Sequence, residues 1–278
     1  MSPNVPIRVV VQGALGRMGG QILDALANEA DTRPIGAVDL AADGESLILP
    51  GGSSRIPLAR SLSDVLGEAD VVVDVTTADG ALAAIRTAAP QGVGVVIGSS
   101  GVPDATVEEA RVLAERHSVG IVVVPNFAVG AVLMTHLARV AARFFEYADL
   151  IETHHEKKID APSGTAMAIA RAVVEGRGGP MKAPVPDKET IPGTRGGEIG
   201  GVTIHSARLP GRVANHELVL AAPGQTLTVR HESIDRTSFM PGVIAAVRAA
   251  VKGPGLTVGL EQALGLGESA EAVREAES

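Results

Sequence analysis

The chain of 278 residues contains no cysteine. That excludes disulfides, thiolate nucleophiles, thiolate-held zinc and iron–sulfur clusters, and it fits a reducing compartment. Tryptophan is also missing, and four Phe and one Tyr are all the aromatics there are, so nucleobases have almost nothing to stack on. Basic residues are outnumbered, 24 against 32 acidic ones, for a net charge of −8, the wrong sign for a polyanion partner. No nucleic-acid partner is expected. No apolar run approaches the roughly 20 residues needed to cross a bilayer. The opening MSPNVPIRVVVQG lacks the basic-then-apolar pattern of a secretory leader. The sequence therefore reads as a soluble, cytoplasmic protein without a membrane partner.

What is present is enough to fold. Hydrophobic residues make up 45% and charged residues 20%, unlike a disordered chain, and the length suits two domains at roughly 100–200 residues each. From Ile7 to about Pro125, short β-branched runs (IRVVVQ, PIGAVD, DVVVDV, GVVI, GIVVV) alternate with stretches of helical spacing at 18–28, 80–89 and 106–117. The runs are apolar almost throughout, as parallel strands covered on both faces are. This predicts an α/β fold with a Rossmann-type doubly wound parallel sheet. Beyond it come a helix over about 131–146, a strand DLIETHH and a helix starting near Ser163. The stretch 176–200 has little periodicity and is assigned as a long loop. VTIHSARL, NHELVLAA and TLTVRHES alternate polar and apolar residues, so the second domain is expected to be α+β with a mixed or antiparallel sheet. A helix over 238–251 and a polar, frayed last ten residues complete the reading.

Directly after the first run comes Gly13-Ala14-Leu15-Gly16-Arg17-Met18-Gly19, with a helix following. In strand, turn and helix context, such glycines allow a tight bend and close approach of a pyrophosphate to helix N-terminal amides. An ordinary glycine-rich βα turn would use the same residues. Asp39 ends the second strand, twenty residues beyond Gly19, where a carboxylate accepts from the adenosine ribose and repels a 2′-phosphate. Leu40, Ala41 and Ala42 follow it without a cation, which tilts the site toward NADH, although Arg17 or the 41–55 loop stands within reach of a phosphate. The turns Gly98-Ser99-Ser100-Gly101 and Pro125-Asn126-Phe127-Ala128-Val129-Gly130 follow later parallel strands and are expected to line the same crevice.

Residues 153–166, THHEKKIDAPSGTA, are the densest group of reactive side chains. Histidine exchanges protons near neutral pH, and lysine supplies a cation or, when desolvated, a proton. Ser163, Gly164 and Thr165 begin a helix, a ready anion site that suits a small dicarboxylate. The same residues also suit a strand end, a solvated charge run and a plain helix start. A zinc site drawn from His154, His155 and His205, His216 or His231 is not expected, because adjacent histidines on a strand point to opposite faces. No metal is assigned.

GALGRMG after the first strand, VPNFAVG, DRTSF and above all HHEKKIDAPSGTA resemble the signatures of the dihydrodipicolinate reductase family of lysine and diaminopimelate biosynthesis, over essentially the whole chain. The resemblance implies reduction of 4-hydroxy-tetrahydrodipicolinate, by way of dihydrodipicolinate, to tetrahydrodipicolinate with NADH or NADPH. It implies that His154 and Lys158 are the proton-transfer groups, that His155 contacts substrate, and that Gly164 and Thr165, with Ser163, hold a carboxylate, Arg236 being a second carboxylate contact. Cofactor residues implied are Gly13 to Met18, Asp39, Gly98 to Ser100 and Val124 to Phe127. It further implies a dinucleotide-binding domain over 1–128 and 237–278, a substrate-binding and oligomerisation domain over 129–236 that closes about hinges near 127–130 and 234–240, and a homotetramer. The chain departs from the pattern at Lys157, where many members have a third histidine, at Ser99-Ser100 in place of a threonine pair, and at Leu40, where an arginine is frequent. A different two-domain dehydrogenase would lack the HH-x-x-K-x-DAPSGT cluster, and a non-catalytic NADH sensor would need neither His154 nor Lys158.

Overall fold

A computed structural model of the chain describes residues 5–49, 52, 54–99, 101–184 and 188–266. The elements in order are β1 (Ile7–Gln12), α1 (Arg17–Asn28), β2 (Thr32–Val38), β3 (Ser46–Ile48), β4 (Arg55–Ala59), β5 (Val71–Asp74), α2 (Ala78–Ala88), β6 (Gly94–Ile97), α3 (Asp104–His117), β7 (Gly120–Val123) and α4 (Val129–Ala142). There follow β8 (Tyr147–His154), α5 (Gly164–Arg177), β9 (Gly197–Ile199), β10 (Val202–Arg208), β11 (Ala214–Ala222), β12 (Gln225–Ser233), α6 (Met240–Ala250) and β13 (Gly255–Val258). They divide into two compact units, Met1–Phe127 with Phe239–Ser278, and Ala128–Ser238.

Among the described residues of the first unit, eight strands form one sheet in the order β13-β7-β6-β5-β1-β2-β4-β3. Every pairing is parallel except β3 with β4. Every residue of β5, β6 and β7 is buried, the consequence of helices packing on both sides. α1 packs with α6, and α2 with α3. Ile22, Leu23 and Leu26 on α1 are at most 1% exposed, each such side chain contributing ~1.5–3 kcal/mol through burial. From β1 the chain runs outward one way through β2 and β4, then returns to β5 and runs the other way. The carboxyl ends of β1 and β5, where Gln12 lies opposite Asp74, therefore flank the switch point at which this architecture opens a crevice.

Among the described residues of the second unit, five strands form a sheet ordered β12-β11-β8-β10-β9. β8 and β10 run parallel and the other pairs antiparallel, so the sheet is mixed. Alternation sets its faces: His216, Leu218 and Leu220 on β11 are buried while Glu217 and Val219 are partly exposed. α4 and α5 pack together, and Met134, Ala138, Leu150, Ile169, Val173 and Leu218 form the core of this unit.

Several details depart from the periodicity. β3, β4 and β13 do not stand out in the sequence: the first has three residues, and Pro57 interrupts the second, next to the edge strand β3. The helix over 131–146 ends at Ala142. The stretch 176–200 is not all loop, since α5 runs to Arg177 and β9 pairs with β10. Lys182 N also donates to Glu146 O at 2.8 Å. A 3-10 turn over Arg236–Phe239 precedes α6, which starts at Met240. The last ten residues lie outside the described residues. Among the described residues, no helix is long and apolar enough to cross a membrane.

Candidate active site

In the first unit, Gly13 bends the chain out of β1 with φ +86°, a conformation that favours glycine. Gly19 on α1 packs against that bend: a Cβ there would lie 2.1 Å from Gly13 O. No side chain caps α1, whose N-cap is Gly16, so its first amides face outward as an anion site. Asp39 braces the turn, its carboxylate accepting from Leu15 N at 3.0 Å and from Ala41 N at 3.0 Å. Ala14 is buried, Met18 half-buried, and Leu15, Gly16 and Arg17 exposed. A cleft of about 570 Å³ is lined by Gln12, Gly13, Asp39, Leu40, Arg60 and Thr76, among others. The glycine bend on its wall is the kind of turn that admits a pyrophosphate. Arg60, which sequence reading missed, holds Ala42 O through Nε at 2.8 Å.

Asp74, also missed, closes β5 with 0% exposure. Ser99 Oγ donates to it at 2.5 Å, Thr76 Oγ1 at 2.6 Å and Gln12 Nε2 at 3.1 Å. Burial pushes its pKa up, against these three donors. The Ser99 hydroxyl proton is thus directed inward rather than toward the crevice. Ser100 lies outside the described residues. Gly98 meets Phe127, whose ring would be 2.2 Å from a Cβ on the glycine. Val124 and Phe127 are buried, Asn126 is partly exposed and Pro125 exposed.

In the second unit, β8 carries Leu150, Glu152 and His154 on its buried face, as a period of two requires. His154 is 6% exposed; His155, just past the strand, is exposed. His154 Nδ1 pairs with Glu152 Oε2. Burial alone would raise the Glu152 pKa, but hydrogen bonds from His154, Ser206 and Arg208 outweigh it and hold it at about 2. The His216 ring on β11 meets His154 edge-on at 5.3 Å. Burial, reinforced by the charge of His154, lowers the His216 pKa to about 4. Glu152, His154 and His216 bring ligand atoms within 4.8 Å of one another.

Lys158 Nζ lies 2.8 Å from Asp160 Oδ1. Ser163 is buried and caps α5, its Oγ accepting from Ala166 N at 3.1 Å and lying 3.3 Å from His216 Nε2. The hydroxyl is therefore turned into the protein, and exposed Gly164 with partly exposed Thr165 presents the helix start. Arg236 is exposed in the 3-10 turn. Glu152, Arg208 and His216 are the side chains of this cluster that sequence reading left without a role. Glu152 was detectable, since it stands two residues before His154 on an apolar strand.

The sequence profile "Dihydrodipicolinate reductase, N-terminus" matches residues 7–127, and "Dihydrodipicolinate reductase, C-terminus" matches residues 130–264. The chain is 43% identical over 263 residues to the 4-hydroxy-tetrahydrodipicolinate reductase of Dehalococcoides mccartyi (strain CBDB1), covering 94% of this chain and 99% of that protein. It is 42% identical over 263 residues to the enzyme of the same name from Cutibacterium acnes, with the same coverage of 94% and 99%. The structure of dipicolinate-bound dihydrodipicolinate reductase from Paenisporosarcina sp. TG-14 superposes with a TM-score of 0.83 at 34% identity, covering 93% of this chain and 99% of that one. The chain belongs to the dihydrodipicolinate reductase family.

Proposed function

We propose that the chain reduces 4-hydroxy-tetrahydrodipicolinate, after loss of its hydroxyl as water, to tetrahydrodipicolinate, with NADH as the preferred donor and NADPH as the alternative. The chain is an oxidoreductase of lysine and diaminopimelate biosynthesis that uses a pyridine nucleotide. A bound reduced nicotinamide supplies the hydride. The uncapped start of α1 receives the pyrophosphate, and Asp39 accepts from the ribose hydroxyls. The preference for NADH rests on the Asp39 carboxylate and on the apolar Leu40 beside it.

His154 and Lys158 move protons to the nitrogen-conjugated system of the ring, as charge develops there. Gly164 and Thr165 hold one carboxylate at the start of α5, Arg236 contacts the second, and His155 touches substrate from the exposed side. Two points support this reading: titratable His154 is buried on a carboxylate, and Lys158 stands in the same short segment that leads into an exposed helix start. Residues 1–128 with 237–278 are assigned to the dinucleotide, and 129–236 to substrate and assembly. Ile151, 37% exposed, and Val219 lie on the second sheet opposite its core. That face is proposed to assemble a homotetramer, and a cytoplasmic location follows from the pathway.

The test follows NADH oxidation by absorbance with the product of dihydrodipicolinate synthase as substrate. Substrate-dependent oxidation is expected; its absence contradicts the proposal. Light scattering is expected to give four times the chain mass, and a monomer contradicts the assembly.

A further inference from the structure

Two charged groups inside the second unit are left unused by the reaction as described. Glu152 is 0% exposed, on a sheet face shared with Leu150, Leu218 and Ile204. A carboxylate is retained in such surroundings only with strong partners. One of its oxygens meets His154 Nδ1, and the other accepts from Arg208 Nη2 at 3.0 Å. Arg208 is also engaged elsewhere. Its Nη2 donates to Asp160 O at 2.5 Å and its Nη1 to Ala207 O at 2.7 Å, which ties the end of β10 to the segment following β8. The Asp160 carboxylate pairs with Lys158 at 2.8 Å. His154, Glu152, Arg208, Asp160 and Lys158 thus form one continuous polar chain with the proposed proton-transfer groups at its two ends.

We propose that Glu152 and Arg208 are positioning residues, a clamp of a buried carboxylate and a half-buried guanidinium that holds the two proton-transfer groups as a unit. The ionised Glu152 favours the tautomer with its proton on His154 Nδ1, facing the carboxylate, which leaves Nε2 as the nitrogen for the reaction. Arg208 fixes the 155–160 segment and, through Asp160, the reach of the Lys158 ammonium. The inference rests on the reading of His154 and Lys158 as proton-transfer groups.

The test combines steady-state kinetics of the full-length enzyme with nitrogen NMR of histidine-labelled protein. For Glu152→Gln, kcat is expected to fall at least about tenfold, a barrier increase of about 1.4 kcal/mol, while the KM values for NADH and substrate stay within about threefold. Glu152→Asp is expected to recover part of the loss. In a His154→Asn background, Glu152→Gln is expected to add little, because both changes remove the same function. The NMR is expected to place the proton of neutral His154 on Nδ1 in the wild type and to show that preference lost in Glu152→Gln. Should Glu152→Gln fail to fold, Arg208→Lys, which keeps the charge but loses the forked donors, is expected to show the same fall in kcat at unchanged KM. A wild-type kcat in whichever of these variants folds overturns the clamp, as does an Nε2-protonated His154 in the wild type. A wild-type kcat in His154→Asn instead overturns the assignment of His154 itself.

Discussion

Ser99 Oγ donates a 2.5 Å hydrogen bond to Asp74 Oδ2 at the carboxyl end of β5, inside an otherwise apolar layer. This joins the ends of β5 and β6, on one side of the crevice, through a carboxylate that accepts from three side chains. Removing one partner of a buried charged hydrogen bond leaves the other unpaired. Asp74→Ala is expected to lose at least about 3 kcal/mol of stability, and Ser99→Ala about 1–2 kcal/mol. Urea unfolding measures both, and an unchanged midpoint for Asp74→Ala contradicts the role given to this carboxylate.

Gly19 and Gly20 are neighbours on α1 with opposite surroundings. A Cβ on Gly19 would lie 2.1 Å from Gly13 O and 2.6 Å from Ala14 Cα, whereas one on Gly20 would meet nothing within 4 Å. Gly19→Ala is expected to push the bend outward, with a stability loss of roughly 1–3 kcal/mol and an NADH affinity at least about tenfold weaker. Gly20→Ala is expected to bind NADH as the wild type does. Fluorescence titration separates the two, and equal affinities would contradict the packing argument.

The parallel layer was legible because β5, β6 and β7 are apolar at nearly every position, a pattern with few other solutions. The glycine bend and the 153–166 segment were legible for a similar reason, each concentrating its chemistry within a few residues. Contacts between distant elements were not. Ser99 reads as a crevice hydroxyl until Asp74, 25 positions away, takes its proton. Ser163 reads as an anion ligand until Ala166 N and His216 engage it. Arg208 meets Glu152 across 56 positions, and nothing local in VTIHSARL marks it. Arg60 is hidden behind β4, a strand that Pro57 makes hard to recognise.

His216 gives a pH dependence with a definite sign. Burial lowers its pKa from the ordinary 6.5 to about 4, so between these values the unfolded chain takes up a proton that the folded chain refuses. Stability contributed by the neutral ring is complete above pH 6.5 and is lost as pH falls toward 4, on the order of 3 kcal/mol in all. His216→Gln is expected to flatten stability against pH in that window. An equally steep profile in the variant contradicts the assignment.

Asp39 and Leu40 on the wall of the first-unit cleft set the expectation for cofactor choice. The KM for NADPH is expected to exceed that for NADH several-fold, and Leu40→Arg is expected to narrow the gap by supplying the absent cation. Initial rates with both nucleotides measure this. A lower KM for NADPH in the wild type contradicts the reading of the Asp39 end.

The central claim lies in the second unit, where a cyclic dicarboxylate is expected to sit at the start of α5 beside His154 and Lys158. A crystal structure with NADH and pyridine-2,6-dicarboxylate bound together tests it most directly. One carboxylate of the ring is expected on the amides of Gly164 and Thr165, with the ring within reach of His154 and Lys158. A ring bound away from residues 154–165 would contradict this placement.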